Sequence, residues 1–418
     1  MKTCDLMINS KLCLPVNDNM ALIEDQSIAI EKGFITKIGD SKTLTTEFNG
    51  RETLDLPNHL IMPGLINCQV DLSAPNASAL QSRNGKSSIF SDRKNAPTAY
   101  SNENKTTNQS NVLAELVKTG TTTFAGMTSN IEELVEQSAQ LGLRCQLASF
   151  ITEESGVEYQ QNRSLRQTLE LHDKYKNNSL VNIAFGLDNP TLMKLEFIEL
   201  LAMYANEIQA PIQALRATKA KPPSSQNSKP VSSLEQHQRS GLLGPNFQSI
   251  PLLKFDEEEL AILETTGAKI IHCPSFAMAN AQGCNSLQEF WDRDFDLGIG
   301  THYTPSNNFK SLLDTAFLAA LLSKHQTLNP KTIKAEDLAY SLTLGGAKVL
   351  GLANEIGSIE AGKKADLVAL NIGNSNTNSP TNSLTELLFG NSQLQVEHVF
   401  VAGNSLLKPD YEANETKG

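Results

Sequence analysis

With 418 residues, 39% hydrophobic and 19% charged, the chain has ordinary globular composition and length enough for a large barrel plus a smaller domain. A formal net charge of -11 and a pI near 5.2 exclude the basic footprint of a nucleic-acid binder or of a protein bound to an anionic membrane. No apolar run is long enough to cross a bilayer, the first residues lack the apolar core of a signal peptide, and six scattered cysteines without a C-x-x-C read as reduced thiols of a cytoplasmic protein.

The predicted elements begin with a small sheet. Leu6-Met7-Ile8, Lys11-Leu12-Cys13-Leu14, Ser27-Ile28-Ala29-Ile30 and Ile35-Thr36-Lys37-Ile38-Gly39 are apolar or alternating runs, separated by polar turns such as Asn17-Asp18-Asn19 and Glu31-Lys32-Gly33. So few strands bury too little surface to stand alone. Further on, helices predicted at Asn111–Lys118, Ile131–Leu141, Ser164–Tyr175 and Leu195–Ile208 alternate with strands at Thr121–Phe124, Cys145–Ala148 and Val181–Phe185. The alternation predicts an α/β fold with a parallel sheet, and the length suits a TIM-like (β/α)8 barrel. Two polar stretches, 76–109 and 219–233, read as surface loops. Strand and turn patterns return at Gly357–Leu370 and Val396–Gly403, around an Asn-, Ser- and Thr-rich loop over 371–383.

Leu60 to Asp71 reads L-I-M-P-G-L-I-N-C-Q-V-D. Residues two apart on a strand share a face, so Gln69 and Asp71 point the same way, with Val70 opposite. Taken alone, the pair fits a site or a strand end running into a polar loop equally well. The stretch resembles the first barrel strand of the amidohydrolase superfamily, in its cytosine deaminase, guanine deaminase and chlorohydrolase branch. That family reads P-G-x-x-x-x-H-x-H there, with both histidines on the catalytic metal. Pro63, Gly64 and the spacing are kept, but Gln69 and Asp71 stand where the histidines belong. The terminal motifs resemble the family's G-x-I-x-x-G-x-x-A-D-L-V and V-x-x-V-x-V-x-G. The resemblance implies one discontinuous β-sandwich domain, residues 1–62 and 358–418, beside a barrel over 63–357.

Barrel enzymes carry their chemistry at the C-terminal ends of the strands. The family's H-x-x-E, metal ligand and acid/base, falls on Ala214 and Ala217, and a substrate-contacting histidine falls on Ile183. A catalytic histidine before an acidic helix start falls on Pro251, to within about one residue; the acids of Asp256-Glu257-Glu258-Glu259 suit a helix N-terminus. Ile270-Ile271-His272-Cys273-Pro274-Ser275 matches the family's A-H-C-P-x-S. Gly300-Thr301-His302 and Ser306-Asn307-Asn308 match G-T-D-x-x-x-S-N-N, with His302 in place of the metal-binding aspartate.

The resemblance thus implies the fold with its metal ligands and acid/base replaced. It predicts a catalytically inactive binding, regulatory or subunit protein without the ancestral zinc or iron, taking a small heterocyclic ligand and pairing as a homodimer or with a related subunit. An alternative is a hydrolase of C–N bonds in a nucleobase- or triazine-like ring, rebuilt from Asp71, His272 and His302. Asp71 and His302 end neighbouring strands and are predicted to face each other. An unaltered deaminase needs a histidine cluster that seven scattered histidines (59, 172, 237, 272, 302, 325 and 398) do not supply.

Overall fold

The computed structural model describes residues 1–17, 20–72, 102–128, 130–154, 156–188, 190, 193–216, 233–279, 281–302, 311–373, 384–385 and 394–409. The predicted loop over 76–109 lies outside them up to residue 101. From there a helix, Asn102–Lys118, begins earlier than the sequence suggests. The loop over 219–233 lies outside up to residue 232, and that over 371–383 from residue 374.

The first strands are β1 (Lys2–Cys13), β2 (Ile23–Glu31), β3 (Phe34–Asp40) and β4 (Phe48–Pro63). Eight parallel strands follow: β5 (Leu65–Asp71), β6 (Thr121–Thr128), β7 (Arg144–Phe150), β8 (Val181–Leu187), β9 (Ile212–Arg216), β10 (Phe247–Pro251), β11 (Lys269–His272) and β12 (Leu297–Ile299). They lie side by side in chain order, with helices between them, as right-handed βα units require. Local signals set the helix ends. Asp256 and Glu259 form a capping box ahead of Glu257–Thr266, and Gly267 ends that helix with a φ of 69°.

β5 and β12 stand at the two ends of the barrel order, and three bonds draw them together. The His302 amide donates to the Gln69 carbonyl at 2.8 Å, and the Asn67 side chain accepts from the Thr301 amide at 3.1 Å and donates to its hydroxyl at 2.9 Å. Alternation then sorts the strand side chains into two cores. Phe124, Leu147, Ile183, Phe185, Ile212 and Ala214 pack outward among the helices. Met127, Ala148, Ala184, Leu215, Ile250 and Ile271 form an inner cluster, joined by Phe276 of the helix Pro274–Ala279 and by Ala347 and Val349 of the helix Leu344–Val349. The helix Leu344–Val349 closes the N-terminal end of that interior, where Gln248 donates to the Val349 carbonyl at 3.0 Å and accepts from Gln146 at 2.7 Å.

The last strands, β13 (Leu367–Asn371), β14 (Gln395–Val401) and β15 (Asn404–Leu407), join the first four in one seven-stranded sheet, ordered β15-β14-β13-β4-β1-β2-β3. One face, with Leu60, Met62, Val368 and Leu370, joins the barrel's outer core; the other, with Ile8, Ile28, Ile61, Leu367, Ala369 and Phe400, forms a core of its own. Neither chain end supplies that core alone.

Asp366 fastens the sheet to the barrel. Its carboxylate takes Nε and Nη2 of Arg144 at 2.9 and 3.1 Å and the Ala402 amide at 2.8 Å, while its carbonyl accepts from Gly64 at 2.9 Å. Arg144 also donates to the Ser179 carbonyl, and both charged side chains are buried. Removing one partner strands a buried charge. Asp366→Ala is therefore expected to cost about 3–5 kcal/mol in guanidinium unfolding, and more than an Arg144→Met/Asp366→Leu double variant costs.

Candidate active site

The barrel mouth inherits its shape from glycine. A Cβ on Gly298 would lie 2.5 Å from the Cys68 sulfur; one on Gly300 would lie 2.6 Å from Gln69 Cβ and 2.8 Å from its amide nitrogen. Those two positions let β12 approach β5 closely enough for the Asn67 and Gln69 bonds to form. Between Asn67 and Val70 the pairing of β5 with β6 slips by one residue, a β-bulge that re-aims the side chains there. Asp71 pairs with inward-facing Met127.

Gln69, Asp71 and His302 are all buried at the strand ends that form this mouth. Gln69 Nε2 faces His302 Nδ1 at 3.5 Å, and among the described residues its Oε1 has no hydrogen-bond partner. The His302 ring stands edge-on to Phe276, centroids 4.0 Å apart. His302 has a φ of 44°, left-handed for a side-chain-bearing residue and a strain of order 1–3 kcal/mol, the kind held at functional sites. Gln213, in the inward register of Leu215, is a further buried amide with neither polar atom bonded among the described residues. It pairs with Gln248 and so lies toward the N-terminal end of the barrel interior, away from the mouth.

Other predicted positions fall differently. Ala214 and Ile183 face outward into the helix layer, because strand alternation turns Leu215 and Ala184 inward instead. Ile250, near the end of β10, and Leu252, just past it, point inward and flank Pro251. Ala217 and the 306–308 motif lie outside the described residues. His272 also leaves the mouth. Its ring packs edge-on against Phe290, centroids 5.7 Å apart, with Nδ1 3.9 Å from the Cys284 sulfur and Nε2 unbonded among the described residues. The alternation that sends Ile271 and Cys273 inward sends His272 outward.

A catalytic zinc takes three protein ligands from His, Cys, Asp or Glu and leaves one position open. Asp71 and His302 supply two, and the remaining inward ends of β8, β9 and β10 are aliphatic. Burial pushes the Cys68 and Cys273 thiols up, Cys273 further by its sulfur neighbours, so neither offers a thiolate. The described mouth residues therefore do not fit the family's metal.

Two expectations follow from the geometry. Burial lowers the His272 pKa to about 3, so its neutral form is held in the fold. That stability is fully present above an unfolded value of about 6.5 and is lost as pH falls toward 3. Between pH 6.5 and 5, His272→Asn is expected to flatten the fall of unfolding free energy by up to about 1.4 kcal/mol per pH unit, read by urea unfolding across that range. Gly300→Ala should cost at least about 1–3 kcal/mol through overpacking, while Gly244→Ala, with open space around its added methyl, stays within about 0.5 kcal/mol of the parent protein.

Comparison with known proteins places these features in context. The amidohydrolase family model matches residues 60–406. A 5-methylthioadenosine/S-adenosylhomocysteine deaminase from Saccharophagus degradans is 29% identical over 416 residues, covering 96% of this chain and 91% of that protein. In fold, the chain is similar to a zinc-bound adenosine deaminase from Xanthomonas campestris (TM-score 0.86, 23% identity, 97% and 94% of the two chains covered). It is similar also to atrazine chlorohydrolase from Arthrobacter aurescens complexed with zinc (TM-score 0.81, 21% identity, 96% and 95% covered).

These findings correct two expectations. The inactive binding or regulatory subunit gives way to a deaminase-type reading, because the chain aligns end to end with a protein named for that reaction. The expectation of no metal gives way as well. The neighbours of the fold hold zinc, and the chain gathers His59, Glu397 and His398 in the terminal sheet, their donor atoms all within 4.8 Å of one another. Weighing donors only at the inherited strand ends, and reading the histidines as scattered, missed that group. From β4 through β15 the matched stretch spans the whole barrel and its closing strands, and the chain belongs to the amidohydrolase family.

Proposed function

We propose that the barrel mouth catalyses hydrolytic removal of the amino group from an adenine-type ring, using Gln69, Asp71 and His302. The observation that carries this is a buried polar trio at the strand ends of a barrel that aligns along its length with a 5-methylthioadenosine/S-adenosylhomocysteine deaminase. Relative to the rebuilt site expected from the sequence, Gln69 takes the place of His272.

The inner wall, with Met127, Ala184, Leu215 and Ile250, suits the flat apolar face of a heterocycle. Water adds to the ring carbon that bears the amine, and the Asp71 carboxylate takes the proton it gives up. Asp71 passes that proton to the departing nitrogen and the hydroxyl proton moves to the ring nitrogen, so amine and water become a ring carbonyl and ammonia, while His302, whose Nδ1 faces the Gln69 amide, holds the reacting group through its Nε2–H. The Gln69 Oε1 is placed to accept from a ring or amine N–H and fix the orientation. Zinc fits the donor set too poorly for any of these steps to run through it.

We also place the protein in the cytoplasm. All six cysteines are buried and unbridged, which suits a reducing compartment, and among the described residues no helix is long and apolar enough to cross a membrane.

Incubation with 5'-methylthioadenosine, S-adenosylhomocysteine or adenosine, followed by ammonia release and chromatography of the product, tests the reading. At least one should yield ammonia and the corresponding 6-oxo product. Asp71→Asn should lower kcat by about 100-fold or more. No ammonia from any of the three, with or without added zinc, would overturn the assignment, as would an Asp71→Asn variant of undiminished activity.

A further inference from the structure

We propose that His59, Glu397 and His398 form a divalent transition-metal site, suited to zinc, that ties the two ends of the chain together within the seven-stranded sheet. The site lies outside the barrel and is independent of the chemistry assigned to the mouth.

The geometry is built by the backbone. Ala369 of β13 pairs with His398 of β14, but Leu370 pairs with Val396, so Glu397 is the extra residue of a β-bulge. In a regular strand, neighbours 397 and 398 would point to opposite faces. The bulge brings both toward His59, which enters from β4, where it is linked through Asn371 of β13. His59 shares the face of Ile61, and His398 that of Phe400, whose ring stacks on it at an interplanar angle of 5°. The donors thus sit at the margin of the sheet's own core, on the side turned away from the barrel core.

The donor set is that of a zinc site with one position left open: two imidazoles and one carboxylate. His59 Nε2 lies 2.7 Å from Glu397 Oε2, and the other carboxylate oxygen is held by Asn371 Nδ2 at 2.6 Å. That second bond fixes the carboxylate as outer partners fix metal ligands.

Two observations point to a ligand beyond the His59–Glu397 bond. His59 is 6% exposed, yet among the described residues its Nδ1 has no hydrogen-bond partner. Beside it opens a cleft of about 340 Å³ lined by Leu54, Leu56, Pro57, His59, His398 and Lys408. Tetrahedral zinc needs donors about 3.3 Å apart, so side-chain rotations closing the 4.8 Å spread complete the site. Zinc bound there would cross-link residues 338 positions apart in the chain, a long loop whose closure stabilises the folded state.

The test uses full-length protein stripped of metal with chelator and then titrated with zinc chloride, reading stoichiometry by calorimetry and elemental analysis and stability by thermal unfolding. The proposal predicts one zinc per chain and a higher unfolding midpoint. His398→Asn and Glu397→Gln should each weaken zinc binding by at least 10-fold and abolish the midpoint shift. An Asp71→Asn/His302→Asn variant should bind as the parent protein does. Circular dichroism of each zinc-free variant separates loss of a ligand from loss of fold, and the conservative Glu397→Gln keeps the Asn371 bond available. No stoichiometric zinc, retention of zinc by both sheet variants, or its loss from the barrel-mouth variant would each overturn the proposal.

Discussion

One buried carboxylate holds the two halves of this molecule in register. Asp366 meets Arg144 of the barrel through two parallel bonds, receives the Ala402 amide from the turn after β14, and through its carbonyl receives Gly64 at the entrance to β5. Three separate stretches of chain converge on one residue. Charge burial of this kind contributes little net stability over an apolar replacement, but it penalises every arrangement that leaves a partner unpaired. The orientation of the sheet on the barrel, and with it the path of β4 into β5, depends on that penalty.

From that anchor β5 runs straight into the mouth. The closure between β5 and β12 is made less by a regular ladder than by Asn67, Thr301 and the backbone of Gln69 and His302. Gly298 and Gly300 make it possible, since any side chain there would strike Cys68 or Gln69. The same closeness sets the polar trio and leaves His302 in a left-handed conformation. The frame motif Gly-Thr and the site residues are therefore one physical unit: the glycines are kept because the strands touch, and the strands touch where the polar groups converge.

Two polar clusters among the described residues differ in what they can hold. The mouth offers an amide, a carboxylate and an imidazole against aliphatic walls, a setting for orienting a heterocycle and moving protons. The terminal sheet offers two imidazoles and a carboxylate braced by Asn371, a setting for a cation. Among the described residues, the three donors grouped closely enough to hold a metal ion thus sit on a different sheet from the barrel.

The sequence by itself determined the architecture, because periodicity and turn chemistry are local. Alternating helix and strand patterns pointed to the parallel barrel, the acidic run at 256–259 to a helix start, and the resemblance of the terminal motifs to the family's implied a shared sheet. The Gln69, Asp71 and His302 substitutions were legible because Pro63-Gly64 and Gly300-Thr301 fix their register. What only the tertiary structure decided was which way side chains point and which distant residues meet. One-residue alternation turned Ala214, Ile183 and His272 outward and brought Gln213 and Leu215 inward, a difference that composition cannot reveal. His59 and His398 looked scattered because 338 residues separate His59 from Glu397, and the bulge at Glu397, which makes them neighbours, exists only in the pairing of β13 with β14.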